Sequence, residues 1–214
     1  MKLVIIIAIQ PKYVELIVNG LKTLEIRKMF PHIDFSKYEY IEVYIYCTKD
    51  SKVPLYISAT GEDKNKYLAN GYVCAKFKLK KITGVKYLPQ CSSSVVNYRP
   101  YESYVYEDIT PSMNKTAHLS FEEIHKYLNG KDGYAWHIDE LKILDEPLPL
   151  ERFHKRGTQK KIDELWDRYR NSNPHDHAVD SCIMAEESKI LWDNEIKRAP
   201  QSWCYAEVEV NING

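Results

Sequence analysis

The apolar positions of the first thirty residues predict a strand, a helix and a second strand. Leu3 to Ile9 is a near-continuous aliphatic run, which is typical of a central strand buried on both faces. Pro11 is well placed as the first residue of a helix, whose apolar positions recur at i, i+3 and i+4 and which Gly20 ends. Residues 23–27 alternate polar and apolar positions, so we expect the chain to return as a strand there.

Two further segments alternate as regularly. Ile41–Cys47 and Val73–Leu79 each place apolar side chains at every second position, which predicts two half-buried strands. Residues 50–71, between them, are rich in turn formers, and we expect a short helix near residues 64–70.

The second half of the chain mixes helices and strands. Ser120 and Glu123 form a capping-box pattern at the start of a helix that Gly130 ends. Beyond it we expect a strand, two helical regions and a closing strand, at residues 134–138, 162–169, 178–198 and 202–210. This order lacks the regular strand–helix alternation of a doubly wound sheet. It predicts an α+β fold, namely a small mixed β-barrel with helices packed at its ends.

The domain organisation follows from the same pattern. We expect a single domain over residues 1–214, without internal repeats and with two additions. Residues 86–118 form a tyrosine-rich excursion, interpreted as a long surface loop, and such loops are often functional. Residues 153–200 form a helical elaboration before the final strand.

Composition narrows the classes of function. The chain has 30 Lys and Arg residues against 30 Asp and Glu residues, which argues against coating nucleic acid by bulk charge but leaves a local basic groove open. Its 5 cysteines include no Cys-x-x-Cys pair, so we expect a reducing cytoplasm and no disulfide framework or zinc ribbon. The apolar start is interpreted as a strand and not as a signal peptide, and no run reaches the length of a membrane span.

The candidate chemistry lies in residues 20–28, where three cations and one carboxylate accompany a short strand. Glu25 and Arg27 are two apart, so their side chains share one face, roughly 7 Å apart along the strand. We place Thr23 on that face and expect Lys22 to reach the same cleft. Lys22 and Arg27 offer donors for phosphate or carbonyl oxygens, and Glu25 offers an acceptor, which together suit the edge of an unstacked base. The alternative is a surface ion-pair ladder without function.

The motif Gly-x-Lys-x-x-Glu-x-Arg at residues 20–27 resembles the signature of the ASCH family. Its context is similar to larger ASCH proteins of bacteria and their phages, at residues 44–48, 133–138 and 200–203. The resemblance implies a PUA-like fold with a cleft lined by the motif, and in this group some members bind RNA.

The resemblance also implies two possible enzymatic activities. Some small bacterial members resemble amidohydrolases of N4-acetylcytidine, in which a lysine at the Lys22 position works with a threonine at the Glu25 position and a glutamate from a later strand. This chain has a carboxylate where that branch has its hydroxyl nucleophile, so the lysine–glutamate pair would activate water. Other members resemble ribonucleases, where Lys22 and Arg27 would stabilise charge on phosphorus and Glu25 would act as the base.

Other residues are secondary candidates for ligand contacts, each with a structural alternative in the core or in local backbone hydrogen bonds: Tyr46, Thr48, Trp136, Gln201, Ser202 and Trp203. The tryptophans would stack a base. His175 and His177 flank Asp176 in a polar loop, a pattern that is usually solvated, so we expect neither a metal nor a cofactor.

Three hypotheses of function follow from the sequence. The first is binding of RNA, a nucleotide or a modified nucleoside in the cleft of Lys22, Glu25 and Arg27. The second is a hydrolase at the same cleft, with Lys22 and Glu25 as catalytic residues. The third is a protein-interaction module that uses the helices of residues 153–200, and none of the three involves a membrane.

Overall fold

The structure is a computed structural model that describes residues 1–35, 37–50, 52–62, 65–88, 103–106, 117–172 and 180–209. The described strands are β1 (Lys2–Ile9), β2 (Leu24–Arg27), β3 (Ile41–Cys47), β4 (Tyr56–Ile57), β5 (Tyr67–Leu68), β6 (Val73–Leu79), β7 (Ile82–Leu88), β8 (Ser103–Tyr106), β9 (Gly133–His137), β10 (Asp139–Leu148), β11 (Phe153–Lys155) and β12 (Trp203–Val208). The described helices are α1 (Pro11–Val18), α2 (Phe121–Leu128), α3 (Thr158–Ser172) and α4 (Asp180–Asn194), with a short 3-10 helix at Leu150–Arg152.

The larger sheet is built around β1. Its strand order is β10-β6-β3-β1-β12-β11, with β1 parallel to β3 and antiparallel to β12. Alternate residues of β1 enter two apolar clusters, so that Ile5 and Ile7 lie in one and Val4 and Ile6 in the other. The prediction of a strand buried on both faces is confirmed.

The second sheet holds the charged motif. Its strand order is β2-β9-β7-β8, and β2 is an edge strand that pairs antiparallel with β9. Leu24 and Ile26 of β2 pack into a cluster with Ile124 and Leu128 of α2. Because side chains alternate along a strand, this packing turns Glu25 to the opposite face.

A tight turn connects α1 to β2. Gly20 has φ +70°, a left-handed conformation that glycine adopts without steric cost, and Lys22 N donates to Leu16 O. This turn delivers Lys22 to the start of β2, beside α1.

The α+β class is confirmed, whereas the predicted barrel is not. The described strands form two larger sheets and a two-stranded ribbon, without a closed barrel. The helix expected near residues 64–70 is wrong in its described part, because Tyr67 and Leu68 form β5, paired with β4. The hydroxyl of Tyr67 lies 3.0 Å from the carbonyl oxygen of Cys74 and 2.9 Å from that of Leu144, tertiary contacts that the local pattern does not reveal.

The two predicted additions are described only in part. Of the tyrosine-rich excursion, the described residues include the end of β7 and its paired strand β8, and most of the rest lies outside the described residues. The region 153–200 contains α3 and α4, but it begins with β11, which joins the larger sheet beside β12. The His175–His177 pattern lies outside the described residues. None of the helices in the described part of the chain has the length and apolar character needed to cross a membrane.

Candidate functional site

A pocket of about 700 Å³ lies beside the charged motif. Its walls come from the start of α1, the strand β2, the helix α2 and the residues before β12, and the ends of β1 and β3 contribute Ala8, Ile9 and Thr48. The volume falls in the range of pockets that take small molecules.

Three charged residues of the motif lie together against this pocket. Lys22, Glu25 and Arg27 are only 1%, 7% and 6% exposed. Glu25 forms ion pairs with both cations, with Oε2 3.4 Å from Lys22 Nζ and Oε1 3.0 Å from Arg27 Nη2. Charged side chains this deeply buried require partners, so these three form one interdependent group, which we call the buried triad.

Backbone and side-chain oxygens orient the two cations of the buried triad. Lys22 Nζ donates to the carbonyl of Ala117 at 2.8 Å. Arg27 Nη2 donates to the carbonyl of Ala8 at 2.7 Å, and Nη1 donates to Ser202 Oγ at 3.3 Å. Arg27 Nε is buried without a hydrogen-bond partner among the described residues. The guanidinium is therefore fixed on the pocket wall by its two Nη atoms, while Nε is enclosed by protein.

Burial dominates the electrostatics of Lys22. Desolvation lowers the pKa of Lys22 below its ordinary value of 10.5, and the neighbouring Arg27 lowers it further. The contact with Glu25 opposes this effect, since a nearby carboxylate favours the ammonium. Lys22 thus loses its proton more readily than an exposed lysine does.

The rim of the pocket is cationic and aromatic. Lys12 Nζ lies 4.3 Å from the ring centroid of Tyr13, and Lys28 Nζ lies 5.2 Å from that of Tyr127. The lining has a formal charge of +3, because two carboxylates, Glu25 and Glu123, face five cations, namely Lys12, Lys22, Arg27, Lys28 and Lys126. The chain as a whole is neutral, so positive charge is concentrated here.

Half of the residues that the sequence predicts to contact a ligand line the pocket. Lys22, Glu25, Arg27, Thr48 and Gln201 line the pocket. Ser202 supports the site through its contact with Arg27.

Four predicted ligand contacts lie elsewhere. Thr23 precedes β2, is exposed and does not line the pocket. Tyr46 and Trp136 are 4% and 0% exposed and belong to the two apolar clusters of the larger sheet, so neither can stack on a ligand here. Trp203 is half-buried, and its ring centroid lies 5.7 Å from that of Trp136. Packing in the apolar clusters therefore explains why aromatic side chains occupy these positions on the strands.

Sequence reasoning missed most of the rim. Lys12 and Tyr13 open α1, and Lys126 and Tyr127 lie on α2, about a hundred residues later. The one local signal was on α2, where Glu123, Lys126 and Tyr127 recur at i, i+3 and i+4 and give that helix a polar face.

No family model and no curated protein matches this chain. Three solved structures of ASCH proteins from Zymomonas mobilis are similar to it. The ASCH protein itself is 15% identical, with a TM-score of 0.41 over 85% of this chain and 93% of that chain.

Two mutants of the Zymomonas mobilis protein are similar in the same way. A serine-to-alanine mutant is 14% identical, with a TM-score of 0.42 over 94% of this chain and 86% of that chain. A tyrosine-to-phenylalanine mutant is 16% identical, with a TM-score of 0.40 over 75% of this chain and 79% of that chain. All three similar structures are of ASCH proteins from this one organism.

Proposed function

We propose that the pocket binds RNA, a nucleotide or a modified nucleoside, and that the buried triad contacts the base. The observation that supports this proposal is the set of Lys22, Glu25 and Arg27, held within hydrogen-bond and ion-pair distance on the wall of a pocket of about 700 Å³.

The buried triad offers both kinds of hydrogen-bonding group that a base edge requires. Lys22 and Arg27 supply N–H donors, and Glu25 supplies carboxylate oxygens. Carbonyl oxygens of a base accept from the first, while an exocyclic amine or ring N–H donates to the second. Because the group is fixed and poorly hydrated, such contacts are stronger than they would be at an exposed site.

The rim suits the remainder of a nucleotide. Exposed Lys28 and Lys126 can contact phosphates, and the rings of Tyr13 and Tyr127 offer faces for stacking. Thr48 and Gln201 add neutral polar groups to the lining. We keep the cytoplasm as the expected compartment, a prediction from cysteine usage.

Binding of a short RNA tests the proposal directly. We would measure the fluorescence anisotropy of a 5′-fluorescein hexaribonucleotide of mixed sequence with wild-type protein and Lys22→Met. We expect at least tenfold weaker binding by Lys22→Met, because a charge-assisted donor contact contributes about 1.5–3 kcal/mol.

Thr158→Val is the matched control for that experiment. Thr158 is as buried as Lys22 but lies outside the pocket lining, and its hydroxyl donates to Lys155 O. Removing this hydroxyl therefore perturbs the fold without changing the pocket. Equal affinity of wild type and Lys22→Met, or no binding by wild type at low salt, would contradict the proposal.

A hydrolase at the same pocket is the second candidate. It is favoured by the lowered pKa of Lys22 beside Glu25, since a lysine that deprotonates readily can act as a general base toward water. The substrates to test are N4-acetylcytidine and a mixed RNA pool, with products followed by mass spectrometry. Loss of the acetyl group or RNA cleavage by wild type but not by Lys22→Met would establish an enzyme, whereas retention of uncleaved RNA would favour a binding protein.

A further inference from the structure

One carboxylate bridges the two helices that flank the pocket. Glu123 Oε1, from α2, accepts from Lys12 Nζ at 3.1 Å and from the Tyr13 hydroxyl at 3.2 Å, both in the first turn of α1. Its other oxygen, Oε2, accepts from the backbone N–H of Ser120 at 3.0 Å. All three bridging residues, Lys12, Tyr13 and Glu123, line the pocket.

The bridge has the composition of an anion site that is already filled. An ammonium and a phenol hydroxyl converge on one carboxylate oxygen, which is the arrangement that a phosphate oxygen would also accept. Burial lowers the pKa of Lys22, and the charge of Glu123 is among the influences that oppose this effect. The carboxylate therefore lies within the positive field of the pocket and not on an unrelated surface.

We propose that Lys12 and Tyr13 form a phosphate subsite which Glu123 occupies in this structure, and that a phosphate group of the ligand displaces the Glu123 carboxylate. The inference rests on the proposed function, since it assigns one part of an RNA or nucleotide to one part of the pocket. The chemical class that it takes is a phosphate monoester or diester.

The local geometry makes such an exchange feasible. The side chains of Lys12 and Glu123 are 55% and 41% exposed, so water can hydrate the carboxylate once it leaves Lys12. The bond from Ser120 N uses Oε2, whereas the bonds from α1 use Oε1. Displacement therefore separates Glu123 from α1 while its capping of α2 persists.

The substitution Glu123→Gln isolates the charge of this residue. Glutamine is the other residue that completes a capping box, so α2 keeps its N-terminal hydrogen bonds. We expect the hexaribonucleotide to bind three- to tenfold more tightly to Glu123→Gln than to wild type at low salt. The slope of log affinity against log salt should steepen by about 0.7, the value for one phosphate on a single strand, because in wild type the displaced Glu123 carboxylate takes up a cation that offsets the one released by the phosphate.

Glu122→Gln is the matched control. Glu122 lies in the same first turn of α2, is exposed and does not line the pocket, so its substitution gives the same change in net charge. A second variant, Glu123→Gln combined with Lys12→Ala, should lose the gain in affinity and the added salt dependence.

A second probe separates this inference from the proposed function. Inorganic pyrophosphate would be titrated into Glu123→Gln and Glu122→Gln while the NMR resonances of Lys12 and Tyr13 are followed. RNA binding that is equal in both variants, with equal salt slopes, overturns the subsite and leaves the proposed function standing. If no variant binds RNA but pyrophosphate shifts Lys12 and Tyr13 more strongly in Glu123→Gln, the subsite stands and the proposed function fails. No response to either probe overturns both.

Discussion

At the residue scale, the site depends on one carboxylate shared by two buried cations. Glu25 contacts both Lys22 and Arg27, whereas each cation has a further oxygen partner, the carbonyl of Ala117 or Ala8. Removing one member of a buried ionic group is costly when it leaves an uncompensated charge. The three residues are therefore not equivalent, and substituting each of them should change the free energy of unfolding by a different amount.

We expect Glu25→Gln to destabilise the protein by about 3–5 kcal/mol, because it leaves two buried cations without a counterion. Lys22→Met should cost about 1–3 kcal/mol, since Glu25 loses one of its two cationic partners and the carbonyl of Ala117 loses its donor, while the Glu25–Arg27 pair persists. Urea unfolding of both variants measures the difference. A larger loss in Lys22→Met than in Glu25→Gln would show that the shared carboxylate is not the centre of the group.

The lowered pKa of Lys22 gives a pH dependence with a definite sign. Folded protein holds this proton less tightly than the unfolded chain, so the contribution of Lys22 to stability rises with pH from its folded pKa toward 10.5. Raised pKa values at Lys12, Lys78 and Lys80 oppose this trend. Because wild type and Lys22→Met both contain these lysines, their effect cancels when the two proteins are compared. Between pH 7 and pH 10, the unfolding free energy of wild type should therefore increase relative to that of Lys22→Met. A difference that stays constant or falls would contradict the assignment.

At the element scale, α2 is the wall that completes the pocket. It begins with a capping box in which Ser120 Oγ accepts from Glu123 N and Glu123 accepts from Ser120 N. Ile124 and Leu128 fix its apolar face against β2, which leaves Glu123, Lys126 and Tyr127 toward the pocket. The cap that starts the helix thus also positions the ligand-facing residues.

We expect Ser120→Ala to destabilise the protein by about 1 kcal/mol, the usual cost of losing an N-cap. Backbone amides of α2 should then exchange faster, and hexaribonucleotide binding should weaken severalfold as this wall loosens. Ser188→Ala is the matched control, because Ser188 is an exposed serine inside α4 and lies outside the pocket lining. Equal hydrogen exchange and RNA affinity in the two variants would show that α2 does not depend on its cap for binding.

The elements also show what a single sequence can and cannot specify. Ile41–Cys47 and Val73–Leu79 are strands with the predicted bounds, because a regular alternation is a local property. The two-residue strand β5 escaped prediction, since tertiary bonds of Tyr67 maintain it. The motif located Lys22, Glu25 and Arg27, whereas Lys12 and Tyr13 became part of the site only through the packing of distant elements.

At the scale of the whole molecule, a neutral chain carries a locally positive pocket. Some lysines elsewhere have carboxylate partners, as where Lys78 and Lys80 both contact Glu140 and where Lys2 and Lys76 both lie near Glu42. Non-specific attraction to polyanions should therefore be weak, and the salt dependence of binding should come from the pocket.

We expect Lys28→Ala and Lys126→Ala each to reduce the salt slope of hexaribonucleotide binding by about 0.7, because each removes one phosphate contact. Both lysines are exposed, so little stability should be lost. Lys37→Ala is the control, since Lys37 is an exposed lysine outside the pocket. A slope that falls equally in all three variants would indicate binding by diffuse surface charge.

Mapping of the RNA footprint by NMR is the most direct test of RNA binding in this pocket. The backbone amide resonances of the full chain would be followed while the hexaribonucleotide is added. We expect shifts at the start of α1, along β2 and on α2, with α4 unchanged. Shifts confined to α3 and α4, where Met184 and Trp192 are 61% and 62% exposed, would contradict it and favour the helices as the interaction surface.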